Sequence, residues 1–388
     1  MAIYLDNAAT SFPKPPQVAR RMCEYLEQVG ATINRSVYGP AQEAELVTLQ
    51  LRERLCRLLG YGGRPTHAIL TAGCTMGLNL VLRGYLRPGD HCIVSAMEHN
   101  AVMRPLTALR VDFDRIPCGR NGLLDPDAIV PLIRPNTRLL VMAHGSNVSG
   151  TVQDAAAVGR ICRERGIPFV LDAAQTAGHI PVDFDGFGCS ALAVPGHKGL
   201  LGPSGIGALL LAPDFARALT PLLTGGTGSA SHTEQQPEFL PDKFESGTPN
   251  LPGIYGWEAA LAWLEDKTVS AIRAHDLVLM ERFLTGLDAI PGVRLIGPRD
   301  LQRRVGVFSL DFPGQDNAMV GDRLEQEFGI LTRCGLHCAP NAHKTLDTFP
   351  RGTVRFSFGW ATTAGDVDAA LDAIGRISRQ SERKTPDN

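Results

Sequence analysis

Short apolar segments alternate with helix-forming segments through the first half of this 388-residue chain. The strand-like runs HAILT, CIVSA and RLLVMA are each followed by a segment with helical periodicity, and PFVLDAA comes before a further strand, CSALAV. This order predicts a mostly parallel sheet with helices on both faces. Ligands of such sheets collect at the carboxyl ends of the strands. We therefore expect the following loops TAGCT, MEHN, HGSN, DAAQ and PGHK to converge on one crevice.

The pattern changes near Leu251, where long amphipathic helices begin and are followed by the strands VGVFSLDF and VRFSFG. This change predicts a second, smaller α+β domain. We expect a large domain over residues 16–255 and a small domain formed by residues 1–15 and 256–388. The last helix begins at TTAGDVDAALDAIGRI, where Thr363 and Asp366 have the spacing of a capping box.

Charge and cysteine content exclude several classes of protein. Lys and Arg total 38 against 40 Asp and Glu, so no strong field attracts nucleic acid or an anionic membrane. The start of the chain lacks the pattern of a signal peptide, and no apolar run is long enough to span a bilayer, so we expect a cytoplasmic protein. Nine scattered cysteines fit neither a disulfide framework nor a four-cysteine zinc site. These features predict a small-molecule substrate and no bound metal.

Lys198 lies between an apolar strand and a glycine-rich run in the stretch AVPGHKGLLGPSGIGALLL. A partly desolvated lysine at a strand end can form a Schiff base with an aldehyde. The alternatives are a phosphate-binding lysine or a solvated loop residue, and no Walker-type motif indicates a nucleoside triphosphate. Asp172 ends the very apolar strand PFVLD, where a buried carboxylate needs a donor or a cation. It caps the next helix, or it meets the ring nitrogen of pyridoxal 5′-phosphate (PLP).

Nine motifs extend the indication of a PLP site along nearly the whole chain, and both their order and their spacing matter. They are YLDNAATS, AGCTMGLN, MEHNAV, HGSNVSGT, LDAAQTAGHIPVD, PGHKGLLGPSGIG, FESGTPN, RCGLHCAP and VRFSFG. With these motifs the sequence resembles the class V aminotransferase family of PLP enzymes. Within that family it resembles the cysteine desulfurases, close to the sulfur-mobilisation and selenocysteine-lyase type. The resemblance implies the α/β fold of the type I PLP-dependent transferases, with a large cofactor-binding domain and a smaller α+β domain.

The resemblance also implies roles for the residues of the strand-end loops. Lys198 would hold PLP covalently and then carry a proton, while Asp172 would pair with the pyridine nitrogen. His99 would stack on the ring, unless it serves only as a helix N-terminal residue. The other implied cofactor contacts reach the ring oxygen from Asn147 and Gln175, and the phosphate from Thr75 and His197, with Cys74 beside them.

Two positions depart from the usual pattern of the family. Pro195 stands two residues before His197, where the family commonly has Ser or Thr, and proline offers neither a hydroxyl nor an N–H to a phosphate. Cys74 stands where the family often has a hydroxyl residue. Both changes affect expected contacts with the cofactor and leave the implied reaction unchanged.

Residues further along the chain complete the implied site. Thr248 matches a residue that reaches the phosphate in the partner subunit, which implies a homodimer. Arg355 matches the arginine that binds the substrate carboxylate through its bidentate fork, unless it forms a structural ion pair. Asn34 and Arg35 match the substrate-entry loop.

The segment RCGLHCAP carries the implied sulfur chemistry on Cys338, whose pKa the neighbours Arg333 and His337 would lower. In the implied reaction Lys198 removes the α-proton of L-cysteine and the Cys338 thiolate attacks the substrate sulfur. The products would be L-alanine and a persulfide for an acceptor protein that serves iron–sulfur clusters, thiolated cofactors or tRNA. The alternative for this segment is a disulfide or a metal site that includes Cys334 and His343.

Other reactions remain open at this stage. L-selenocysteine is a rival substrate with the same mechanism. A transaminase or another β-lyase shares the PLP residues but has no use for Cys338. A non-catalytic scaffold for sulfur transfer disagrees with the joint presence of Lys198, Arg355 and Cys338.

Overall fold

The alternating segments form strands and helices in the computed structural model, which describes residues 2–34 and 37–382. The strands in the described residues are β1 (Ile3–Tyr4), β2 (Ala68–Thr71), β3 (His91–Ser95), β4 (Asp112–Ile116), β5 (Thr137–Ala143), β6 (Phe169–Asp172), β7 (Ala191–Pro195), β8 (Gly207–Leu211), β9 (Arg294–Ile296), β10 (Val307–Asp311), β11 (Ile330–Leu331), β12 (Arg333–Gly335) and β13 (Thr353–Ser357). The α-helices in the same residues are α1 (Pro16–Glu24), α2 (Gly39–Leu58), α3 (Cys74–Tyr85), α4 (Asn100–Leu109), α5 (Ala155–Glu164), α6 (Pro213–Ala218), α7 (Leu251–Lys267), α8 (Val269–Asp288), α9 (Asn317–Phe328), α10 (Pro340–Thr345) and α11 (Ala364–Glu382).

A seven-stranded sheet in the order β2-β8-β7-β6-β5-β3-β4 forms the centre of the larger part of the molecule. Strands β7, β6, β5, β3 and β4 run parallel to one another, and β8 is antiparallel to both β7 and β2. Every residue of β3, β6, β7 and β8 is buried. Helices cover both faces of this sheet. Strands that are buried on both sides have continuous apolar sequences, as these four strands do. The predicted mostly parallel α/β sheet is confirmed.

A second sheet, in the order β12-β13-β10-β9, is antiparallel, and the short strands β1 and β11 pair beside it. Its core contains a group of aromatic rings in which Phe283 of α8 packs on Phe308 and Phe358 at centroid distances of 4.7 and 5.4 Å. Leu5 from the N-terminal segment belongs to the same core. The N-terminal residues therefore pack with the C-terminal region.

Helix α7 continues across residue 255, where the sequence predicted the domain boundary. Its buried residues Trp257, Leu261 and Leu264 belong to the core of the large sheet. The chain turns at Thr268, which has a φ of 65°, and its hydroxyl accepts a hydrogen bond from the N–H of Ala271 to cap α8. The boundary itself stays a prediction: Ile272 in the first turn of α8 still belongs to the core of the large sheet, and Leu279 belongs to the core of the second sheet.

The last helix begins as the local sequence predicts. The N–H of Asp366 donates to the Thr363 hydroxyl at 3.1 Å, and the N–H of Thr363 donates back to the Asp366 carboxylate at 2.8 Å. This reciprocal pair confirms the capping box. No helix in the described ranges combines the length and apolar character that crossing a membrane requires.

Candidate active site

A cavity of about 750 Å³ lies at the carboxyl ends of the central strands. All five loops predicted to converge contribute residues to its wall, so this prediction is confirmed. The wall includes ten residues that the sequence assigned to the site: Cys74, Thr75, His99, Asn147, Asp172, Gln175, His197, Lys198, Cys338 and Arg355. Lining the cavity does not by itself assign a role to any of these residues, because each role depends on the local contacts.

Lys198 lies in a tight turn directly after β7. The turn is closed by a hydrogen bond from the N–H of Leu201 to the Lys198 carbonyl at 2.8 Å and by one from Gly202 to the Gly196 carbonyl at 2.8 Å. Burial lowers the pKa of the Lys198 amine, and the nearby Asp172 carboxylate opposes part of this shift. A lysine with a lowered pKa supplies the neutral amine that a Schiff base requires.

Asp172 ends β6 with its side chain 5% exposed. Its Oδ1 accepts hydrogen bonds from the N–H of Ala174 at 2.9 Å and from the thiol of Cys74 at 3.4 Å. Burial, followed by the charge of Asp172, raises the pKa of Cys74, so this thiol stays protonated as a donor. Asp172 thus makes the cap-like contact that the sequence left open and also faces the cavity.

His99 is the N-cap of α4, where its Nδ1 accepts a hydrogen bond from the N–H of Ala101 at 3.0 Å. Burial lowers its pKa, so the ring is neutral, and the same ring lines the cavity. The capping role and a ring-stacking role are therefore compatible.

Two side-chain amides and the amino end of α3 complete the cavity floor. The amide of Asn147 donates to the His337 carbonyl at 2.5 Å, and that of Gln175 donates to the Ala8 carbonyl at 3.0 Å. Thr75 occupies the first turn of α3, whose backbone N–H groups and dipole favour an anion.

Two glycines allow the backbone to pass closely below this helix end. Gly73, the N-cap of α3, has a φ of 151°. A Cβ on Gly207 would lie 2.7 Å from the Gly73 Cα, so a side chain cannot be accommodated there. Pro195 pairs with Gly207 in the sheet and lines the cavity.

Arg355 on β13 is 1% exposed and reaches the cavity from the second sheet. Its Nη2 pairs with Asp6 Oδ1 at 2.6 Å, and its Nη1 donates to the Asn147 carbonyl at 3.2 Å. Nε has no hydrogen-bond partner among the described residues. The structural ion pair that the sequence left open is present, and Nη1 and Nη2 each carry a second N–H beyond these two bonds.

Cys338 is exposed and lies at the cavity wall on a loop where both His337 and Cys338 have positive φ, 47° and 59°. The sequence led us to expect a charged His337 beside Cys338, but the His337 ring is buried. Burial, followed by the charge of Arg355, lowers the pKa of His337 to about 2, so its ring is neutral. Arg333, an exposed residue that lines the same cavity, is the cation that remains.

The other cysteine of this segment lies in a different environment. A Cβ on Gly321 would collide with the Cys334 sulfur, so that thiol packs against α9. Burial raises its pKa to about 11. Cys334 and Cys338 are free thiols, and no group of three or more His, Cys, Asp or Glu in the described residues has the geometry of a metal site. His343 is buried with its Nδ1 at 2.7 Å from the Thr348 hydroxyl.

Two candidate residues in the described part of the chain, Asn34 and Thr248, do not line this cavity. Asn34 and the exposed Thr248 line a neighbouring cavity of about 480 Å³. Asn34 donates through its amide to the Thr227 carbonyl at 3.3 Å. Arg35 lies outside the described residues. A role of Thr248 in a partner's site stays a prediction, as does the substrate-entry role of Asn34.

The sequence reasoning missed Asp6 and Lys14. Asp6 pairs with Arg355, and Lys14 contacts the peptide that precedes Lys198. Both lie in or beside the motif YLDNAATS, which was noted only as part of the resemblance. The acidic residue inside this motif and the lysine shortly after it were the available signals.

These residues fit PLP. Asp172 is a buried carboxylate without an ion-pair partner in the described part of the chain, as a protonated ring nitrogen requires. His197 is partly buried, its Nδ1 has no partner among the described residues, and burial together with Lys198 and Lys14 lowers its pKa to about 4. It can donate to or accept from a bound group as a neutral ring.

Comparisons with known proteins agree with the geometry. Residues 3–370 match the family described as Aminotransferase class-V. A probable cysteine desulfurase of Methanothermobacter thermautotrophicus is 32% identical over 97% of this chain and 94% of its own length. The cysteine desulfurase CsdA of Escherichia coli is 32% identical over 96% and 93%.

Solved structures give the same result. The apo structure of a cysteine desulfurase from Thermococcus onnurineus NA1 superposes with a TM-score of 0.90 at 30% identity, over 98% of this chain and 95% of the other. The structure of Escherichia coli CsdA in its S-sulfonic acid form has a TM-score of 0.85 at 30% identity, over 98% and 95%.

Proposed function

This chain belongs to the class V aminotransferase family, and we propose that it is a PLP-dependent cysteine desulfurase that converts L-cysteine to L-alanine and retains the sulfur as a persulfide on Cys338. The observation that carries the proposal is the position of Cys338. Its exposed thiol lines the same cavity as the amine of Lys198 and the guanidinium of Arg355. A transaminase or a simple β-lyase would not need a thiol there.

The cavity residues would hold PLP by complementary chemistry. Lys198 supplies the amine, Asp172 the acceptor for a protonated ring nitrogen, and His99 a flat neutral ring at the cavity wall. The amino end of α3 at Thr75 and the neutral His197 would contact the phosphate. When bound, PLP supplies an electron sink for the carbanion that forms at the substrate α-carbon.

Each step uses a residue of this chain. Arg355 orients the substrate carboxylate through the second N–H groups of Nη1 and Nη2, and Lys198 takes the α-proton as a base of lowered pKa. The Cys338 thiolate attacks the substrate sulfur, so a sulfur–sulfur bond forms and the carbon–sulfur bond breaks. The carbon is reprotonated and leaves as L-alanine. One cysteine and one thiol give one alanine and one persulfide, so no external oxidant is required.

A turnover assay with alanine quantified tests the proposal. We expect Cys338→Ser to bind PLP but to lose alanine production and persulfide, because a serine hydroxyl is far less nucleophilic at neutral pH. Cys334→Ser is the matched control and should stay active, since Cys334 packs against α9. Pyruvate and ammonia in place of alanine would indicate a β-lyase. Extra sulfur found on Cys334 by mass spectrometry would contradict the assignment.

The partners are also part of the proposal. Thr248 lies outside the Lys198 cavity of its own chain, which fits a residue that serves the site of a second subunit in a homodimer. L-selenocysteine is an alternative substrate, and its weaker carbon–selenium bond would leave residual lyase activity in Cys338→Ser. A sulfur-acceptor protein and a cytoplasmic location stay predictions.

A further inference from the structure

The carbonyl of His197 receives an unusual number of hydrogen bonds from the N-terminal segment. The ammonium of Lys14 donates to it at 2.7 Å. The Ser11 N–H donates at 3.0 Å, and the Ser11 and Thr10 hydroxyls each lie at 3.1 Å. Four donors therefore converge on the carbonyl oxygen of the residue before Lys198, although a carbonyl oxygen has only two lone pairs.

Lys14 is the charged member of this group. Its side chain is half-buried, and its ammonium also donates to the Ser11 hydroxyl at 2.7 Å. No carboxylate within the described residues lies at ion-pair distance from its Nζ, and burial lowers its pKa to about 8. The desolvation of this cation is therefore offset by dipoles, chiefly that of the His197 carbonyl. A charge-assisted hydrogen bond of this kind is stronger and more directional than a neutral one.

The turn that carries Lys198 is fixed on both sides. Its own hydrogen bonds use the carbonyls of Gly196 and Lys198, as described above. The carbonyl between them, that of His197, is held only by the N-terminal segment among the described residues. Removing the Lys14 donor therefore takes the only charged hydrogen bond, among the described residues, from a peptide that the hydrogen bonds within the turn do not hold.

The N-terminal segment is itself anchored to the Arg355 side of the cavity. The Tyr4 hydroxyl donates to the Thr10 carbonyl at 2.8 Å, and the Trp360 indole donates to the Pro13 carbonyl at 2.8 Å. Asp6 of the same segment pairs with Arg355. A continuous chain of contacts thus joins the strand of Arg355 to the turn of Lys198.

We propose that Lys14 is a positioning residue for Lys198: by holding the His197 carbonyl it sets the peptide that carries the Lys198 amine in the cavity. The proposal rests on the proposed function, in which Lys198 is the residue that binds PLP. Lys14 acts through the backbone and does not itself contact substrate or cofactor.

The test uses Lys14→Met, which removes the donor and keeps a stem of similar length, in the full chain. The matched control is Lys267→Met, since Lys267 is half-exposed at the end of α7 and pairs only with its neighbour Asp266 among the described residues. Apoprotein is mixed with PLP, and the rate of capture by Lys198 is followed by the visible absorbance band and by mass spectrometry after borohydride reduction. Melting temperatures of the apoproteins and kcat and KM for L-cysteine are measured in parallel.

We expect capture by Lys14→Met to slow about tenfold and kcat to fall by a similar factor, because a small displacement of a reacting group has large kinetic effects. KM for L-cysteine should change by less than about threefold, because the variant leaves Arg355 unchanged. A fall in kcat at nearly constant KM indicates that the chemical step is affected and substrate binding is not. Lys14→Arg keeps the charged donor and should recover most of the capture rate.

Capture and kcat equal to those of Lys267→Met, at equal melting temperature, would overturn the proposal. If Lys14→Met melts well below the control, capture by both variants is compared at a lower temperature at which both are fully folded. A slower capture then supports the proposal, and parity with the control overturns it. The proposed function fails separately: wild-type protein that captures PLP but makes no alanine refutes the desulfurase activity and leaves the Lys14 comparison intact.

Discussion

Replacing Arg355 by lysine tests how the substrate carboxylate is recognised. Arg355 uses Nη2 on Asp6 and Nη1 on the Asn147 carbonyl, while Nε has no partner in the described residues. A carboxylate in the cavity can therefore take the second N–H of Nη1 together with the second N–H of Nη2. Arg355→Lys keeps the positive charge near Asp6 but removes the fork. Arg355→Ala is less informative, because it leaves Asp6 unpaired and costs about 3 kcal/mol of stability.

The magnitude follows from the hydrogen bonds lost. A hydrogen bond to a charged group contributes about 1.5–3 kcal/mol, and about 1.4 kcal/mol is a factor of ten in binding. Losing one of the two bonds of the fork should raise KM for L-cysteine by about 10- to 100-fold. We expect kcat to change by less than about threefold and PLP occupancy to stay complete, since Arg355 does not touch the cofactor's anchoring lysine.

Steady-state kinetics with alanine quantified, together with the visible absorbance of bound PLP, provide the measurement. Arg351→Lys is the matched control, because Arg351 is a half-exposed arginine of the same region that pairs with Asp311. A KM that stays within about twofold of the wild-type value would refute the reasoning. Loss of PLP from Arg355→Lys at normal KM would assign the arginine a structural role instead.

The remaining predictions concern the cofactor, the acid stability and one histidine. Lys198→Ala should lose the visible band of lysine-linked PLP; protein that is colourless even as wild type after incubation with PLP would contradict the assignment. Burial lowers the pKa of His144 to about 4, so below its ordinary value of 6.5 the unfolded state binds more protons and stability falls as pH drops. His144 should contribute up to about 1.4 kcal/mol per pH unit to the loss seen in urea unfolding between pH 6.5 and 4, so the slope should be smaller in His144→Asn by up to this amount. Because His337 is neutral, His337→Asn should leave the apparent pKa values of the kcat/KM pH profile in place, and a shifted acid limb would show that the ring titrates.

Local patterns in the sequence determined the parts of this protein that depend on neighbours along the chain. The alternation of apolar strands and helices determined the parallel sheet, and therefore that loops from TAGCT to PGHK meet at one edge. The spacing of Thr363 and Asp366 determined where α11 begins, because a capping box closes within three residues. The lysine and the aspartate at the ends of β7 and β6 were found for the same reason.

The tertiary structure alone decided the properties that arise from contacts between distant residues. Asp6 pairs with Arg355 across 349 residues, and Lys14 reaches His197 across 183, so neither contact has a periodicity that a sequence can show. Burial cancelled the charge expected of His337, and no local motif measures burial. Helix α7 packs with the core of the large sheet and most of α8 with that of the second sheet, because the choice of core depends on which apolar surface each helix meets.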